Sequence, residues 1–306
     1  MKEARACNGT GSPDFPAPAF RTVEAARVTE GGVEWLSETV AVESRVDMDV
    51  DGVRWASFAL SPKDLEDFAY GLALSTGLVD SVDQIAEVRV VGGPGNLRIS
   101  LRRDLSDEGP CAPEPELSAL FGSVLPLRGS ERAALACESG RATGCQGGCR
   151  DGSGACGPFV APEAIWRASE SLLPNQGMHL ATGATHAALF ADASGGTVLM
   201  REDVGRHNAV DKLLGAIARQ GIDPASGFVY LSSRCALELV AKCARVGVRM
   251  VATVSAPTSA VLDFAEREGV TLCAFAREGR FTVYTHGERI AGVGSLAAPM
   301  PLSSAC

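Results

Sequence analysis

Apolar and polar residues alternate along the first hundred positions, and this alternation predicts β-strands. Within residues 46–53, apolar residues alternate with aspartate as far as Asp51, and Asp51-Gly52 is a pair typical of hairpin turns. Strands are predicted within residues 33–59, 87–91 and 97–101.

One helix is predicted between these strands. Apolar residues between positions 65 and 72 recur at the spacing that places side chains on one helical face. Ser61 and Asp64 form a Ser-x-x-Asp pattern, which predicts that Ser61 caps a helix beginning at Pro62. Gly77 is the predicted end of this helix, so the first part of the chain is predicted to be a small α+β unit.

Regular alternation of strands and helices begins after Pro162, and it predicts a parallel or mixed sheet covered by helices. Glycine follows several of the predicted helices, as is common because it adopts the left-handed conformation at low cost. The predicted helices are 164–173, 208–219, 235–245 and 260–268. The predicted strands are 187–189, 197–200, 228–231, 248–254, 270–275 and 281–285.

The chain is therefore predicted to be an α/β protein with four parts. A disordered leader rich in small residues and proline spans residues 1–20, and the small α+β unit spans 21–103. Residues 104–160 have the composition of a connector and include a segment rich in cysteine and glycine that is predicted to be mobile. The α/β domain spans 161–306.

Composition and charge exclude several classes of protein. Of the 306 residues, 46% are hydrophobic and 21% are charged, which excludes a wholly disordered chain, a collagen and a coiled coil. The formal charge of -9 argues against nucleic acid and anionic membranes as partners. We find no signal peptide and no run of about 18 apolar residues, so we expect a cytoplasmic protein with reduced thiols.

Three of the ten cysteines, Cys145, Cys149 and Cys156, lie within one glycine-rich segment. Glycine lets a backbone approach other groups closely, and the neighbouring Arg141 and Arg150 would favour the reactive thiolate. Three interpretations stay open: a nucleophilic or sulfur-carrying pair, a metal site, and surface cysteines without chemistry. A structural zinc site usually needs a second cysteine pair, and none follows at that spacing.

Two further segments combine polar residues with a strand end. Residues 201–212 lie between a predicted strand and a predicted helix, where loops of α/β proteins bind ligands. Asp203 and His207 are candidates for acid–base chemistry there, and the alternative is that Asn208 merely caps the helix. Residues 182–186 bring hydroxyl groups and a histidine ring to the start of a strand, although a histidine in such a place is often structural.

Residues 275–280 separate the last two predicted strands. Arg277 and Arg280 flank a glycine turn, and two guanidinium groups at a strand end suit a phosphate or a guanine edge. The open alternative is a solvated hairpin turn.

Two other patterns indicate structure rather than chemistry. His286-Gly287-Glu288 matches half of the zinc-deaminase signature, but the Pro-Cys-x-x-Cys half is absent, so zinc deamination is disfavoured. The cysteines of the apolar segments are predicted to be small buried residues: Cys235, Cys243 and Cys273.

Several long motifs in the same order resemble the formate dehydrogenase accessory sulfurtransferase family, called FdhD. The motifs are residues 182–188, 202–212, 254–259 and 279–286, and residues 61–66 resemble the first helix of the family. The resemblance extends from about residue 33 to about residue 290.

This resemblance implies that the protein carries sulfur. Family members receive persulfide sulfur from a cysteine desulfurase and transfer it to the molybdenum or tungsten bis-guanine-dinucleotide cofactor, which formate dehydrogenase then uses. By resemblance, Cys145 bears the persulfide and Cys149 is the second cysteine, although this chain has Cys-x-x-x-Cys where the family commonly has Cys-x-x-Cys. The cofactor is a bound substrate, and no stably bound metal ion of the protein's own is expected.

The resemblance also implies binding residues. The segment that matches the family's guanine-dinucleotide site consists of Phe275, Ala276, Arg277, Glu278, Gly279 and Arg280. Further candidates within the family motifs are Thr185, His186, Asp203, Arg206 and His207.

The family fold is similar to that of cytidine deaminase. The C-terminal domain is therefore expected to be a layered α/β/α structure with a mixed sheet. The chain is also expected to form a homodimer, with a cysteine desulfurase and the catalytic subunit of formate dehydrogenase as partners.

Two other functions fit the same residues. One is a chaperone that escorts a guanine-dinucleotide cofactor without transferring sulfur, and the other is a metal-binding regulatory module that uses the cysteine segment. Metal content would identify the regulatory module, and client activity with a Cys145 variant would identify the chaperone.

Overall fold

Two sheets and one helix between them organise the described part of the chain. The computed structural model describes residues 19–93, 96–104 and 157–294. Most of the predicted leader lies outside these ranges, and so do residues 105–156 of the predicted connector.

The N-terminal part contains a two-stranded ribbon and a four-stranded sheet. The ribbon pairs β1 (Phe20–Thr29) with β2 (Gly32–Ala41) in antiparallel fashion. The sheet contains β3 (Ser44–Val50), β4 (Val53–Leu60), β5 (Ile85–Gly93) and β6 (Asn96–Arg103). Its strand order is β4-β3-β6-β5, in which only β3 and β6 are parallel. The hairpin predicted at Asp51-Gly52 is confirmed.

The hydrophobic pattern does not predict β1, because most of its residues are exposed. Only Val23 and Ala25 are half-buried, so the strand lacks a clear apolar alternation. The outward face of the ribbon exposes four large apolar side chains, those of Phe20, Val28, Val33 and Trp35.

The first helix, α1 (Leu65–Thr76), begins later than predicted, and Ser61 does not cap it. Ser61 is fully buried: its N–H donates to Asp203 Oδ2 at 3.0 Å, and its hydroxyl accepts the N–H of Val204 at 3.2 Å. The capping prediction is therefore wrong, because bonds to a distant loop replace the local cap.

The C-terminal part is a six-stranded mixed sheet, as predicted. Its strands are β7 (His186–Asp192), β8 (Thr197–Asp203), β9 (Gly227–Leu231), β10 (Met250–Thr253), β11 (Thr271–Arg277) and β12 (Arg280–Thr285). They lie in the order β12-β11-β10-β9-β7-β8, in which β9, β10 and β11 are parallel to one another and the remaining pairs are antiparallel.

Five helices accompany this sheet. They are α2 (Pro162–Asn175), α3 (Gly177–Thr182), α4 (Arg206–Arg219), α5 (Leu237–Arg245) and α6 (Ser259–Arg267). The sequence does not predict α3, because six residues are too few for a periodic pattern. None of the described helices combines the length and hydropathy that a membrane crossing needs.

Two core clusters define the layers of this domain. One cluster joins α4, α5 and α6 to one face of the sheet through Phe190, Val229 and Leu272. The other joins α2 to the opposite face through Phe228 and Tyr230. Helices therefore cover both faces, and the likeness to cytidine deaminase stays a prediction.

Helix α1 links the two sheets because it packs closely on α4. A Cβ atom added at Gly71 would lie 1.7 Å from the carbonyl oxygen of Asp211, and one added at Gly215 would lie 1.8 Å from the carbonyl oxygen of Asp67. The opposite side of α1 buries Phe68 against the four-stranded sheet. The two helix backbones are in direct contact, which only glycine permits.

Buried polar side chains reinforce this contact. Asp67 on α1 accepts hydrogen bonds from Arg201 at 2.7 and 2.8 Å and from Arg219 at 2.5 Å. Asp211 on α4 accepts one from the hydroxyl of Ser75 at 2.7 Å and pairs with Lys242. Each carboxylate thus forms a hydrogen bond across the boundary between α1 and the C-terminal domain.

Gly71→Ala is expected to destabilise the protein by about 3 kcal/mol, because neither backbone can move away without disturbing a packed core. Urea unfolding measures this change. Gly177→Ala is the control, since its Cβ would meet nothing within 4 Å. An unchanged unfolding midpoint for Gly71→Ala would show that the two helices separate easily.

Candidate functional site

Five loops meet at one edge of the six-stranded sheet, which we term the carboxyl edge. The carboxyl ends of the parallel strands β9, β10 and β11 point to this edge, and so do the end of β8 and the start of β7. The loops are residues 182–186, 203–206, 232–236, 254–258 and 275–280. In α/β proteins this is where ligands bind, so the motifs singled out in the sequence converge on a plausible place for a ligand.

The register of the strands fixes which loops are neighbours. His186 lies opposite Asp203 across β7 and β8. The N–H of Ser232, after β9, donates to the carbonyl of Ala187 at 3.0 Å, and the N–H of Phe275 donates to the carbonyl of Ser255 at 3.4 Å. Neighbouring loops are therefore connected along the whole edge.

Three helices begin at the carboxyl edge, and none has a side-chain cap at its N-terminus. The N-cap residues of α4, α5 and α6 are Gly205, Ala236 and Thr258. Without a cap, the first-turn N–H groups stay available, and each helix presents a partial positive charge.

Three arginines add full charges to this edge. Arg206 begins α4, Arg234 precedes α5, and Arg277 ends β11. Within residues 19–93, 96–104 and 157–294, none of the three makes an ion pair. Arg280 faces Glu278 at 4.0 Å, and both side chains are exposed, so this pair contributes little.

The hairpin of residues 275–280 is anchored on one side and exposed on the other. The carbonyl of Ala276, a buried residue, accepts a hydrogen bond from the hydroxyl of Tyr230. Burial raises the pKa of Tyr230, so its hydroxyl keeps the proton that it donates. Phe275 has φ 53°, a costly conformation for an aromatic residue, and its ring is exposed at the edge.

The turn of the hairpin has the geometry that its sequence predicts. Glu278 and Gly279 both have positive φ, at 55° and 70°, which is typical of a two-residue hairpin turn. Arg277 and Arg280 are therefore cross-strand neighbours. The backbone of residues 275–280 therefore forms a hairpin turn, as one of the two interpretations of the sequence stated. Both guanidinium groups are exposed.

Asp203 is a structural residue in this geometry rather than an acid or base. It is fully buried and accepts hydrogen bonds from Lys212 Nζ at 2.6 Å, from the N–H of Ser61 at 3.0 Å, from the N–H of Gly205 at 2.8 Å and from the amide of Asn208 at 3.0 Å. Burial lowers the pKa of Lys212, and the Asp203 carboxylate opposes that shift. Because all these donors occupy it, Asp203 holds the loop after β8.

Asn208 does not cap α4. Its amide nitrogen donates to the carbonyl of Ala59 at 2.9 Å as well as to Asp203. The capping alternative is therefore wrong, and this residue ties α4 to the end of β4.

Glu202 is a second buried carboxylate, and sequence analysis did not single it out. Its two oxygens accept the N–H groups of Met178 and His179 at 2.9 Å and the hydroxyl of Thr185 at 3.0 Å. The hydroxyl of Thr185 is thus used inside the protein. The sequence did offer a signal for a buried carboxylate, because Glu202 lies in a strand and directly precedes Asp203 in the motif.

His186 and His207 are both held toward the neutral form. Burial lowers the pKa of His186, and the nearby Arg206, His179 and Arg234 lower it further. Burial also lowers the pKa of His207, and its Nε2 atom has no partner among the described residues. Both rings are therefore neutral at pH 7, and a neutral ring nitrogen can donate a hydrogen bond.

Arg234 is a candidate that the sequence analysis missed. The pattern Ser232-Ser233-Arg234 lies between β9 and α5, and its exposed guanidinium stands at the carboxyl edge. The signal was present, because a polar segment between a buried strand and a helix marks such an edge.

The proposed sulfur-carrying residues, Cys145 and Cys149, lie outside the described residues, as does Cys156. The described cysteines, Cys235, Cys243 and Cys273, are free and buried, as predicted. Burial raises the pKa of Cys235 and of Cys243 to about 12, which makes these thiols unreactive.

No group of side chains in the described residues is suited to hold a metal ion. His286 contacts Glu288 at 3.1 Å through Nδ1 and the carbonyl of Glu266 at 2.9 Å through Nε2. The half-signature of zinc deaminases at this place is therefore a local hydrogen-bonded turn.

Comparison with known proteins gives a consistent picture. The FdhD/NarQ family model matches residues 41–291. The sulfur carrier protein FdhD of Bordetella petrii is 36% identical over 276 residues, which cover 85% of this chain and 89% of the relative. The protein of the same name from Chromobacterium violaceum is 39% identical over 253 residues, which cover 81% of this chain and 88% of the relative.

A crystal structure resembles this fold over most of the chain. It is that of a formate dehydrogenase accessory protein from Desulfotalea psychrophila, with a TM-score of 0.68 and 26% sequence identity. The match covers 89% of this chain and 100% of that chain.

The two histidines are expected to make stability depend on pH. Histidine in an unfolded chain titrates near pH 6.5, so below that pH the unfolded state binds more protons than the native state. The free energy of unfolding should fall as the pH drops from 7 to 5. In the double variant His186→Asn/His207→Gln this fall should be smaller, by about 1.4 kcal/mol or less per pH unit for each histidine replaced. Urea unfolding across this range measures the slope, and NMR titration showing native pKa values above 6.5 would contradict it.

Proposed function

The chain belongs to the FdhD/NarQ family, and on that basis we propose that it is a sulfur carrier for the maturation of formate dehydrogenase. The observation that carries the proposal is the convergence of the family motifs on the carboxyl edge, where three arginines and three uncapped helices face the same side. This arrangement supports binding of a large anionic ligand.

The proposed ligand is the molybdenum or tungsten bis-guanine-dinucleotide cofactor, which is a substrate here. Its diphosphate groups would accept hydrogen bonds from guanidinium groups and from first-turn N–H groups. The exposed ring of Phe275 offers a surface for a guanine base, and the strain at this residue supports a binding role. Arg277 and Arg280 lie beside it in the hairpin.

The proposed sulfur route begins at Cys145. Its thiolate attacks the terminal sulfur of a persulfide on a cysteine desulfurase, a sulfur–sulfur bond breaks, and the desulfurase cysteine leaves as a thiolate. Cys145 then bears the persulfide. Transfer requires no other group, because one sulfur–sulfur bond replaces another.

The second step needs two electrons, since persulfide sulfur must become sulfide. We assign these electrons to Cys149: its thiolate attacks the Cys145 sulfur, a disulfide forms between the two cysteines, and hydrosulfide leaves. The sulfide becomes a ligand of the cofactor metal, and a cellular dithiol reduces the disulfide afterwards. Three residues with two glycines separate the cysteines, so the two sulfurs can meet.

The protein's part is therefore to deliver one atom and to hold the cofactor that receives it. Redox chemistry of the metal belongs to the client enzyme. We place this work in the cytoplasm, where thiols stay reduced, and we propose that the chain acts as a homodimer.

A chaperone without sulfur transfer would use the same carboxyl edge. The two functions differ in whether Cys145 is needed, and the first experiment below separates them.

Cys145→Ala is expected to leave formate dehydrogenase inactive in a strain that lacks the native carrier, because its cofactor would lack the sulfido ligand. Cys149→Ala should lower client activity without abolishing it, since other thiols can release the sulfur more slowly. Cys137→Ala is the matched control and should retain activity. Client activity and mass spectrometry of the carrier after incubation with a desulfurase and cysteine measure these effects.

Two results would contradict the sulfur route. Full client activity with Cys145→Ala would favour the chaperone. Stoichiometric zinc or iron in anaerobically purified protein would favour the metal-binding module.

Arg277→Ala combined with Arg280→Ala is expected to weaken GDP binding by about tenfold or more. Each charge-assisted hydrogen bond is typically worth about 1.5–3 kcal/mol, and about 1.4 kcal/mol is one factor of ten. Calorimetry measures the affinity, and Arg89→Ala on β5 is the control because its side chain is as exposed as that of Arg280. Equal GDP affinity in the double variant and the wild type would reject the hairpin as a binding site.

A further inference from the structure

We propose that Tyr230 is a positioning residue that selects the strand register of the hairpin of residues 275–280. Its buried hydroxyl holds the carbonyl of Ala276 and thereby keeps one extra residue in β11, so that the ring of Phe275 lies outside the core and at the carboxyl edge. This register is a property of the chain without any ligand. The use of the exposed ring to bind a guanine base rests on the proposed function.

Strand β11 contains a β-bulge directly before the turn of the hairpin. Ala274 and Arg277 are both paired with β12, and the register shifts by one residue between them. Phe275 and Ala276 therefore lie opposite a single residue of β12. An extra residue of this kind leaves backbone groups without partners in the strand ladder, so the bulge needs hydrogen bonds from elsewhere.

The bulge reverses which of the two side chains points into the core. Side chains of a strand alternate between the two faces of the sheet, and Cys273 packs on the face that α2 covers. Without the bulge, Phe275 would lie on that same face. In the structure the small Ala276 lies there instead, and Phe275 is exposed. The extra residue thus keeps a large ring on the surface, where a ligand can reach it.

Two contributions to the free energy oppose this arrangement. Phe275 has φ 53°, a left-handed conformation that a residue with a bulky side chain rarely adopts. Regular pairing with β12 would remove this strain, and it would also bury the ring. The bulge therefore depends on contacts that regular pairing would lose.

Residues from three other segments provide these contacts. The hydroxyl of Tyr230 on β9 donates to the carbonyl of Ala276, and the hydroxyl of Ser169 on α2 donates to the same oxygen at 3.3 Å. The two hydroxyl oxygens are 2.9 Å apart. The N–H of Phe275 donates to the carbonyl of Ser255, after β10, at 3.4 Å. Hydrogen bonds thus hold both residues of the bulge.

The hydroxyl of Tyr230 favours the bulged register because it is itself buried. Tyr230 is fully buried, and burial raises the pKa of its hydroxyl, which therefore stays protonated and needs an acceptor. The carbonyl of Ala276 is that acceptor, and it gains a donor that the strand ladder does not supply. Phenylalanine at position 230 would keep the packing of the ring and remove this preference.

Tyr230→Phe tests the proposal on the full-length chain. In a crystal structure of this variant we expect regular pairing of β11 with β12, and Phe275 with negative φ. Calorimetry should show a GDP affinity about tenfold below that of the wild type, because the ring of Phe275 has left the edge. Tyr284→Phe is the matched control and should keep the wild-type affinity, since the hydroxyl of Tyr284 makes no hydrogen bond within the described residues.

Glycine at position 275 separates positioning from general support of the fold. Glycine adopts positive φ without strain, so the bulge in Phe275→Gly should persist without the Tyr230 hydroxyl. Phe275→Gly lowers GDP affinity by itself, because the ring is lost. Adding Tyr230→Phe to it should cause no further loss. If Tyr230 only stabilised the fold, its replacement would weaken GDP binding equally in both backgrounds.

Ser169→Ala repeats the test at a half-buried position, where a change threatens folding less. It removes the second hydroxyl that binds the carbonyl of Ala276, at a longer distance. GDP affinity should therefore fall by about threefold, and this loss should also disappear in the Phe275→Gly background.

Three results would overturn the proposal. The first is a crystal structure of Tyr230→Phe that retains the bulge and positive φ at Phe275. The second is wild-type GDP affinity in Tyr230→Phe, and the third is an equal loss of affinity with and without Phe275→Gly. A wild-type chain that binds no GDP would contradict the proposed ligand instead, and the crystal structure of Tyr230→Phe would still decide the register.

Discussion

The backbone contact between α1 and α4 is the constraint on which the rest of the structure depends. Gly71 and Gly215 let the two helices touch, and α1 at the same time forms the core of the small sheet. Asp203 then fixes the loop after β8 to Ser61 at the entrance of α1. The packing of α1 on α4 therefore fixes the start of α4, and Arg206 with it, at the carboxyl edge.

The internal bonds of Asp203 and Glu202 explain how an acidic chain presents arginines without nearby carboxylate partners at one edge of its sheet. The formal charge is -9, yet Glu202 and Asp203, two carboxylates next to the carboxyl edge, are bound by internal donors. Lys212 neutralises Asp203 inside the protein, and backbone N–H groups bind Glu202. These two carboxylates therefore do not neutralise the arginines of the edge, so the local charge there differs from the net charge of the chain.

Periodicity predicted the elements of the C-terminal domain well, because buried faces impose a strong pattern. It failed where long-range contacts replace local ones. Ser61 has the sequence of a helix cap, but Asp203 is its partner, and no local pattern reveals a residue so distant in the chain. The bonding of Asp203 was not predictable for the same reason, since it depends on Lys212 and on Ser61 before α1. The segment of Arg234 had a signal in the sequence, since it lies between a buried strand and a helix, and the strand order adds that β9 lies beside β7.

The ribbon of β1 and β2 should open at a lower free energy than the two packed sheets. Within the described part of the chain it has two free edges, little buried apolar surface and a contact between β2 and α3. A two-stranded ribbon is marginal in water by itself, so it opens without disturbing either core. We therefore expect its amide hydrogens to exchange with solvent through local opening, and those of the fully buried β9 to exchange only when the domain unfolds.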